Sequence, residues 1–571
     1  MSIATEETLT APSPSPHRSQ AQTTRIIFLG GVGEIGRNMT LVEHAGRILV
    51  LDVGLMFPSE QMLGVDLVLP DFQYLRDRAD RVAGILLTHG HDDHIGGLPY
   101  LLREIKVPVY GAKLTLGILR PKLEEHGVLE SADLNEISAP GRLTLGPFQL
   151  RLFNMAHSIP DAFATLVTTP AGNFLYTSDF KLDPDPVGGR ATDLHGLGEA
   201  AAAGIDLLMS DSTNADHPGH TPSERTVGEP IAEAIRDSEG RVIVACFASN
   251  IHRIQQIADA ADRSGRVVSF LGRSMVNNVE VAREMGYLKI PDELIVSISE
   301  IEEHPPERVV VISTGSQGEP LSALSLMASR DHKWIDLTRG DTVVLSATPV
   351  PGNESAVRRV IDSLYRIGVR VVAPPASPVH VSGHAAAGDL RLLIDLIKPK
   401  WFVPVHGEYR HLAIHAEIAR EGGIPEDRTI VPERGEVLEL GDGAVRRAER
   451  VEAGFVFVDG LGIGDVEEAV LRDRRILADE GVIVCVVTVD SRTGELLAGP
   501  DVISRGFGFE EEAGNFLEEA RAEIRESLAS MAEDEITDWS AVNRRVRKSL
   551  GKFVWKRTGR RPIILPVVME V

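Results

Sequence analysis

The sequence predicts an α/β protein of several domains, and three observations carry that expectation. Short runs rich in Val, Ile and Leu, such as "GNFLYTSD", "IDLLMSDS", "RVIVACFASN", "RVVVISTGS", "DTVVLSATPV" and "WFVPVHGE", read as strands. Stretches of helical periodicity, "SERTVGEPIAEAIRD" and "NIHRIQQIADAADRSG" among them, alternate with these runs. Each strand run ends in a polar or glycine-containing loop, and in α/β folds the loops at one end of the strands collect functional groups.

Taken in order, residues 1–23 are rich in Ser, Thr, Pro, Gln and Glu and lack both the basic start and the apolar centre of a signal peptide. They are expected to form a disordered tail, which places the protein in the cytoplasm. The folded part begins with the strand "TRIIFLG". The "GGVGEIGRN" that follows spaces Gly31, Gly33 and Gly36 like a dinucleotide-binding fingerprint. Such a fingerprint needs a helix next, yet "MTLVEHAGRILVLD" alternates and turns at Ala45-Gly46 in the manner of a β-hairpin. The glycines are therefore expected to form a tight loop bordering a site. "GILLTHGHDDHIGGLPYLLREI" reads as strand, polar loop and helix. Helix–strand alternation between 223 and 380 predicts a compact α/β insert. A last unit, from about 466, contains the strand "EGVIVCVVTVD", an acidic helix and "RPIILPVVMEV".

With 571 residues the chain is long enough for three or four domains of about 150 residues each. The longest apolar runs are too short to cross a bilayer. The net charge of −24 argues against a broad nucleic-acid surface. One segment departs from it: "NRRVRKSLGKFVWKRTGRR" carries nine Lys or Arg with Phe553 and Trp555 among them, either a nucleic-acid patch or a solvated helix face. Cys246 and Cys485, the two cysteines, sit in strand-like runs, which excludes a disulfide framework and a thiolate-rich metal site. Any metal must be held by nitrogen and oxygen.

Residues 88–97, "THGHDDHIGG", supply such atoms in unusual density. In an extended segment residues i and i+2 point the same way, so His89 and His91 can grip one ion. Asp93 and His94 are offset toward the helix start and can face a second ion. Imidazole with carboxylate suits zinc, with manganese the alternative. Two ions need further ligands, and His157 in "FNMAHSIPDA", Asp179 in "LYTSDFK" and His406 in "FVPVHGE" stand at strand ends where they are available. An aspartate with two oxygens can bridge.

The order of "GGVGEIGRN", "THGHDDHIGG", "AHSIPDA", "TSDFK", "DSTNAD", "FASNIHRIQQ", "STGSQGEP", "HVSGHA", "PVHGE" and "VDGLGIGD" resembles the metallo-β-lactamase superfamily in its nucleic-acid-processing branch, and most closely the ribonuclease J family. The resemblance implies an αββα metallo-β-lactamase sandwich (24–222 and 381–465), an inserted β-CASP α/β domain (223–380), a linker (466–480) and a small α+β C-terminal oligomerisation domain (481–571). It implies two zinc ions per subunit, one on His89, His91 and His157, the other on Asp93, His94 and His406, with Asp179 bridging. Asp211 of "DSTN" and His384 of "SGHA" match catalytic motifs near the scissile phosphate. Ser249, Asn250 and Ile251, with His380, Val381, Ser382, Gly383 and His384, match a pocket for a 5′-terminal monophosphate. Gly64, Asp66 and Asp459 match a structural cation site, calcium being the candidate and surface carboxylates without an ion the alternative. Asp52 either orients a ligand histidine or caps a turn.

The implied activity is hydrolysis of RNA phosphodiester bonds, 5′-to-3′ from 5′-monophosphate ends and also at internal sites, in mRNA decay and rRNA maturation. The implied partners are RNA, further copies of the chain in a homodimer or homotetramer, and other RNA-degradation factors, with no membrane. Two rival readings are a catalytically idle RNA-binding scaffold and a small-substrate hydrolase on the same metal core. Scaffolds of that kind usually lose ligands, and the small-substrate enzymes lack an insert with "SGHA" ahead of "PVHGE".

Overall fold

The computed structural model describes residues 23–571 apart from 60, 320, 351, 461, 491–495, 507–512 and 532–538. The expected tail thus lies, Thr23 excepted, outside the described residues. The chain divides into two compact units, one built on residues up to Phe57 and on Leu67–Val456, the other on Pro58–Asp66 and Phe457–Val571.

Two sheets face each other in the larger unit. Eight strands form the first, in the order Ala444–Arg447, Val437–Gly441, Thr24–Gly30, Met39–His44, Arg47–Leu51, Val82–Leu87, Pro108–Gly111 and Asp133–Glu136. The second has six: Trp401–Val405, Leu207–Asp211, Gly172–Tyr176, Phe163–Thr169, Phe148–Asn154 and Gly141–Leu145. The two-residue period of a strand sorts their side chains. Leu207 and Met209 join Phe28, Val42, Leu49, Phe163 and Phe174 in the core between the sheets. Leu208 points the other way and, with Phe153, Leu175 and Phe402, packs under Leu197, Leu393, Ile397 and Ala419. These last four come from the helices Leu194–Ala203, Ala387–Ile397 and Tyr409–Glu421. Each such fully buried Leu or Phe contributes about 1.5–3 kcal/mol.

The first hairpin is as the alternation predicts, with Thr40 opposite Leu51. Ala45 and Gly46 have φ of 49° and 74°, the two left-handed residues that a tight hairpin turn demands. Gly31, Gly33 and Gly36 form a loop with positive φ and no helix after it.

The insert leaves the sandwich between two neighbouring strands. Leu207–Asp211 and Trp401–Val405 run parallel, with Leu207 opposite Trp401 and Asp211 opposite Val405. Between them the chain builds five parallel strands in the order Val267–Leu271, Val309–Ser313, Val242–Ala245, Thr342–Leu345 and Arg370–Val372. The central strand "VIVA" is buried on both faces, which is why it is apolar throughout and does not alternate. Because the excursion starts and ends on adjacent strands, Asp211 and His406 come to lie side by side although 195 residues separate them.

In the smaller unit Val482–Val489 lies between Leu496–Arg505 and Ile563–Glu570. Ile483, Cys485, Val487 and Val502 pack under Phe516, Ile524, Val546 and Leu550 of two helices, Ala513–Ala529 and Trp539–Thr558. The interval 466–480, expected to be a linker, is largely a helix, Glu468–Glu480, and lies inside the unit's continuous stretch Phe457–Val571. Its charged residues resemble a linker in composition, but Glu, Leu, Arg and Ala are strong helix formers and Leu471 is buried. No described helix is long and apolar enough to cross a membrane.

Candidate metal centre

Strand Val82–Leu87 runs into Thr88, after which an extended His91 precedes a single helical turn, Asp92–Ile95. A Cβ on Gly54 would lie 1.6 Å from Asp93 O, so only glycine lets the neighbouring strand end pack on this loop. The loop carries His89 Nε2 to 3.1 Å from His91 Nδ1, and His157 Nε2 lies 3.1 Å from the same atom. Asp179 Oδ2 stands 3.6 Å from His89 Nε2 and 3.8 Å from His157 Nε2. Its other oxygen, Oδ1, stands 3.3 Å from His94 Nε2 and 3.6 Å from His406 Nδ1. Asp93 Oδ2 completes that side, 3.2 Å from His406 Nε2. All seven expected residues thus form two groups sharing Asp179, each with its ligand atoms within 4.8 Å of one another.

The electrostatics divide the histidines. Burial, with neighbouring imidazoles adding to it, pushes His89 and His157 well below the histidine range and His91 down to about 4, so these rings are neutral and keep a lone pair for a cation. Burial opposes the charged form of His94 and His406 as well, but carboxylates win there. Asp179, Asp93 and Asp52 hold His94 well above its usual range, and Asp179, with Asp211 and Asp93, raises His406 to about 10. Burial likewise disfavours ionised Asp93, Asp179 and Asp211, yet the adjacent imidazoliums hold all three well below the carboxylate range. Three carboxylates, Asp179 and Asp211 buried and Asp93 half-buried, therefore attract positive charge, which a divalent cation supplies by displacing protons. Asp179 Oδ1 is buried without a hydrogen-bond donor among the described residues, and the donor set is imidazole and carboxylate, with Cys246 buried just after the strand Val242–Ala245 and Cys485 buried within Val482–Val489. The residues fit zinc.

Four family models match the chain in succession: the metallo-beta-lactamase superfamily over residues 32–224, the ribonuclease J beta-CASP domain over 239–364, a Zn-dependent metallo-hydrolase RNA specificity domain over 368–432, and the ribonuclease J C-terminal domain over 469–571. The chain is 41% identical to ribonuclease J2 of Bacillus subtilis (strain 168), over 97% of this chain and 100% of that protein. It is 44% identical to ribonuclease J of Mycolicibacterium smegmatis, over 96% and 97%. The chain belongs to the ribonuclease J family. It is a zinc-dependent ribonuclease, and its substrate is RNA. In fold it is similar to a crystal structure of a protein of unknown function from Enterococcus faecalis V583, with a TM-score of 0.52 at 18% identity, covering 73% of this chain and 100% of that one.

In this member of the ribonuclease J family the second nitrogen of each ring is tied from outside the cluster, which fixes ring orientation. Asp52 accepts from His94 Nδ1 at 2.9 Å and from Thr88 N at 2.8 Å, so it orients the histidine and anchors the start of its loop. His89 Nδ1 lies 3.1 Å from Thr88 Oγ1, and His406 Nδ1 lies 2.6 Å from Thr213 Oγ1. His157 Nδ1 donates to Gly383 O at 2.7 Å. Sequence reasoning missed Thr88 and Thr213, and also Asn38, whose Nδ2 lies 3.0 Å from His94 Nε2. The glycine loop before Asn38 was the available signal, and it does border the site: Gly31 O accepts from His406 N at 2.7 Å. His384 joins the cluster, its Nδ1 2.8 Å from Asp211 Oδ2 and its ring stacked on His406 at 5.5 Å.

The expected phosphate-pocket residues divide by role. Asn250 caps the helix Ile251–Arg263 by accepting from Arg253 N at 3.0 Å, Ile251 is buried, and Ser249 is half-buried. Across from them runs the loop of His380, Val381, Ser382 and Gly383, where Ser382 Oγ accepts from His384 N at 3.1 Å. A residue missed in the sequence joins the two. Arg253 is wholly buried, donates to Ser346 O at 3.2 Å and Val379 O at 3.3 Å, and pairs with Glu224 at 2.6 Å. Burial, assisted by that guanidinium, drives His380 down to about 3.

At the expected cation site Asp66 Oδ2 accepts from Gly460 N at 2.7 Å, and Asp459 Oδ2 accepts from Arg474 Nη2 at 2.5 Å. The same guanidinium donates to Leu63 O at 3.0 Å and lies against Gly64, where a Cβ would meet Arg474 Nη1 at 2.6 Å. Gly64 and Asp459 thus lie against an arginine and Asp66 is taken up by a backbone N–H, which does not fit a calcium ion there.

Proposed function

We propose that the chain hydrolyses RNA with two zinc ions per subunit, manganese being the alternative. His89, His91 and His157 hold one, Asp93, His94 and His406 the other, and Asp179 bridges. The observation that carries this reading is that the two oxygens of one buried aspartate face two different histidine sets and one of them has no hydrogen-bond donor among the described residues. When bound, such a pair of ions acidifies a water and neutralises charge developing on the phosphoryl oxygens. The chain's own groups supply position and protons. Asp52, Thr88, Gly383 and Thr213 hold the ligand rings. Asp211 engages His384 Nδ1 and leaves Nε2 to donate to the scissile phosphate or to protonate the departing 3′ oxygen.

The enzyme works 5′-to-3′ from monophosphorylated ends and also cuts internally, in mRNA decay and rRNA maturation in the cytoplasm. The start of the helix Ile251–Arg263 places Ser249, with its half-buried side chain, and the positive end of the helix dipole where a terminal phosphate would be met, with the His380–His384 loop held by Arg253. The full ligand set argues against an idle scaffold, and the five-stranded insert against a small substrate. A homodimer or homotetramer through the smaller unit is supported by its outward sheet face, where Leu565, Val567, Met569 and Ile503 are exposed. Other RNA-degradation factors are the expected partners. At Gly64, Asp66 and Asp459 the Arg474 guanidinium supplies the positive charge, and the contacts favour a site without calcium.

The test compares 5′-monophosphorylated with 5′-triphosphorylated RNA, with His91→Ala as control. Mononucleotides should be released from the monophosphorylated strand and few from the other. Equal internal cleavage of both would overturn the terminal pocket, and unchanged activity in His91→Ala would overturn the metal assignment.

A further inference from the structure

The net charge of −24 conceals one strongly basic helix, Trp539–Thr558. Its apolar residues recur at i and i+4: Val542, Val546, Leu550 and Val554 are fully buried in the smaller unit. Phe553 belongs to that core as well, its ring 5.4 Å from Phe516. Some cations face the neighbouring helix and are engaged there. Arg557 pairs with Glu519 at 3.1 Å, and Arg545 donates to Ser527 and Ser530.

Folding does not account for the other flank. Trp555 is 53% exposed, an unusual position for so large an apolar ring. Arg547, Lys552 and Arg561 are exposed beside it and make no ion pair among the described residues. These four line a cavity of about 420 Å³ together with Gly551, Pro562 and Ile564. Gly551 stands one helical turn from both Arg547 and Trp555, and its missing side chain opens the notch. A Cβ there would meet only Ile564 Cδ1, at an ordinary 3.4 Å. The Arg561 guanidinium carbon is 5.9 Å from the Trp555 centroid, the outer limit of a cation–π contact, so the ring is flanked by charge and left open.

An open aromatic face with unpaired cations around it is the pattern that holds single-stranded nucleic acid: bases stack on the ring and phosphates meet Lys and Arg. The volume lies in the range of small-ligand pockets and accommodates one base with its sugar. We propose that this notch is a second RNA-binding site of the chain, in which a base of a single strand stacks on Trp555 over Gly551 while Arg547, Lys552 and Arg561 take the flanking phosphates. The proposal rests on the ribonuclease activity, which supplies the strand. A protein partner is disfavoured because three exposed cations rim the ring, while the exposed apolar residues of the same strand, Leu565, Val567 and Met569, alternate with Ile564 and so lie on the other face of the sheet.

The test uses the full chain carrying His384→Ala, so that RNA is not consumed, and a labelled 20-nucleotide oligouridylate in a fluorescence-anisotropy titration. Trp555→Ala and Gly551→Leu should each weaken binding roughly tenfold, and Trp555→Phe should restore most of it. Arg547→Gln with Lys552→Gln should make the slope of log K against log salt shallower by about 0.7 for each phosphate that is no longer neutralised. Thermal midpoints within a few degrees of the parent establish that the variants fold. In the background with His384 intact, the unaltered chain should hydrolyse a 5′-phosphorylated trinucleotide. If the trinucleotide is not cleaved even by the unaltered chain, the ribonuclease reading fails. If it is cleaved but Trp555→Ala and Gly551→Leu bind as the parent does, the notch is not a site. A weakening confined to the Arg547→Gln, Lys552→Gln variant would likewise overturn the notch and leave only a solvated basic face.

Discussion

Asp179 and Lys181 flank one buried phenylalanine, Phe180, and each belongs to a buried cluster of charges. Around Asp179 the chain assembles three carboxylates and a ring of histidines but no permanent cation. Around Lys181 it assembles Glu224 at 3.5 Å and Asp183 at 3.6 Å, with Arg253 on the far side of Glu224 at 2.6 Å. The second cluster balances its charge with the fixed cations of Lys181 and Arg253, whereas the first does so only when its histidines take up protons. A cluster that leaves positive charge to be supplied from outside is built for a ligand, whereas one that closes on itself can only be structural, here a tie between the Asp179 loop and the loop leading to His384.

The contrast is most sharply broken at Asp179. Asp179→Ala should lower kcat by about 10³-fold or more, and metal analysis should find the bound zinc reduced. Chelation of the unaltered protein should abolish activity and lower its thermal midpoint, since the buried carboxylates lose their cation. Next in size, Glu224→Ala strands Arg253 as an uncompensated buried charge, leaves Lys181 with Asp183 alone, and should cost about 3–5 kcal/mol in denaturant unfolding, while the folded fraction keeps its zinc. Asp52→Asn should cost roughly 10–100-fold in metal affinity or activity with little change in stability, because it loosens His94 without touching the ions.

Smaller effects sharpen the comparison. Replacing both partners, as Glu224→Leu with Arg253→Met, should recover most of the stability lost by the single change, which no double replacement within the metal cluster can do for activity. Acid separates these variants further. Burial opposes ionised Glu224, but Arg253 and Lys181 hold it below the carboxylate range. Its contribution is therefore fully present above pH 4.5, the ordinary glutamate value, and is lost as pH falls through the lower folded value. Unfolding free energy should decline more steeply below that pH in the unaltered chain than in the double variant.

Local patterns made much of the fold legible. Alternation over "MTLVEHAGRILVLD" excluded a dinucleotide site, and strand runs ending in polar loops located Asp179, Asp211 and His406. The helix Glu468–Glu480 escaped notice because its charged surface leaves only Leu471 buried, too little periodicity to register. Arg253 escaped because a lone arginine on a helix normally faces water, and only the packing of Ser346 and Val379 against it reveals the tie.

The sequence by itself determined which atoms are available to hold a metal, their order along the chain, and the absence of thiolates, because ligand chemistry resides in residue type and close spacing. The tertiary structure alone decided which nitrogen of each ring faces inward, that Asp211 stands beside His406, and that Phe553 belongs to the core while Trp555 faces water. Those outcomes depend on strands meeting across an insert of well over a hundred residues and on orienting groups such as Thr88, Thr213 and the Gly383 carbonyl. Such groups occur throughout any chain, and nothing in their neighbours marks the few that matter.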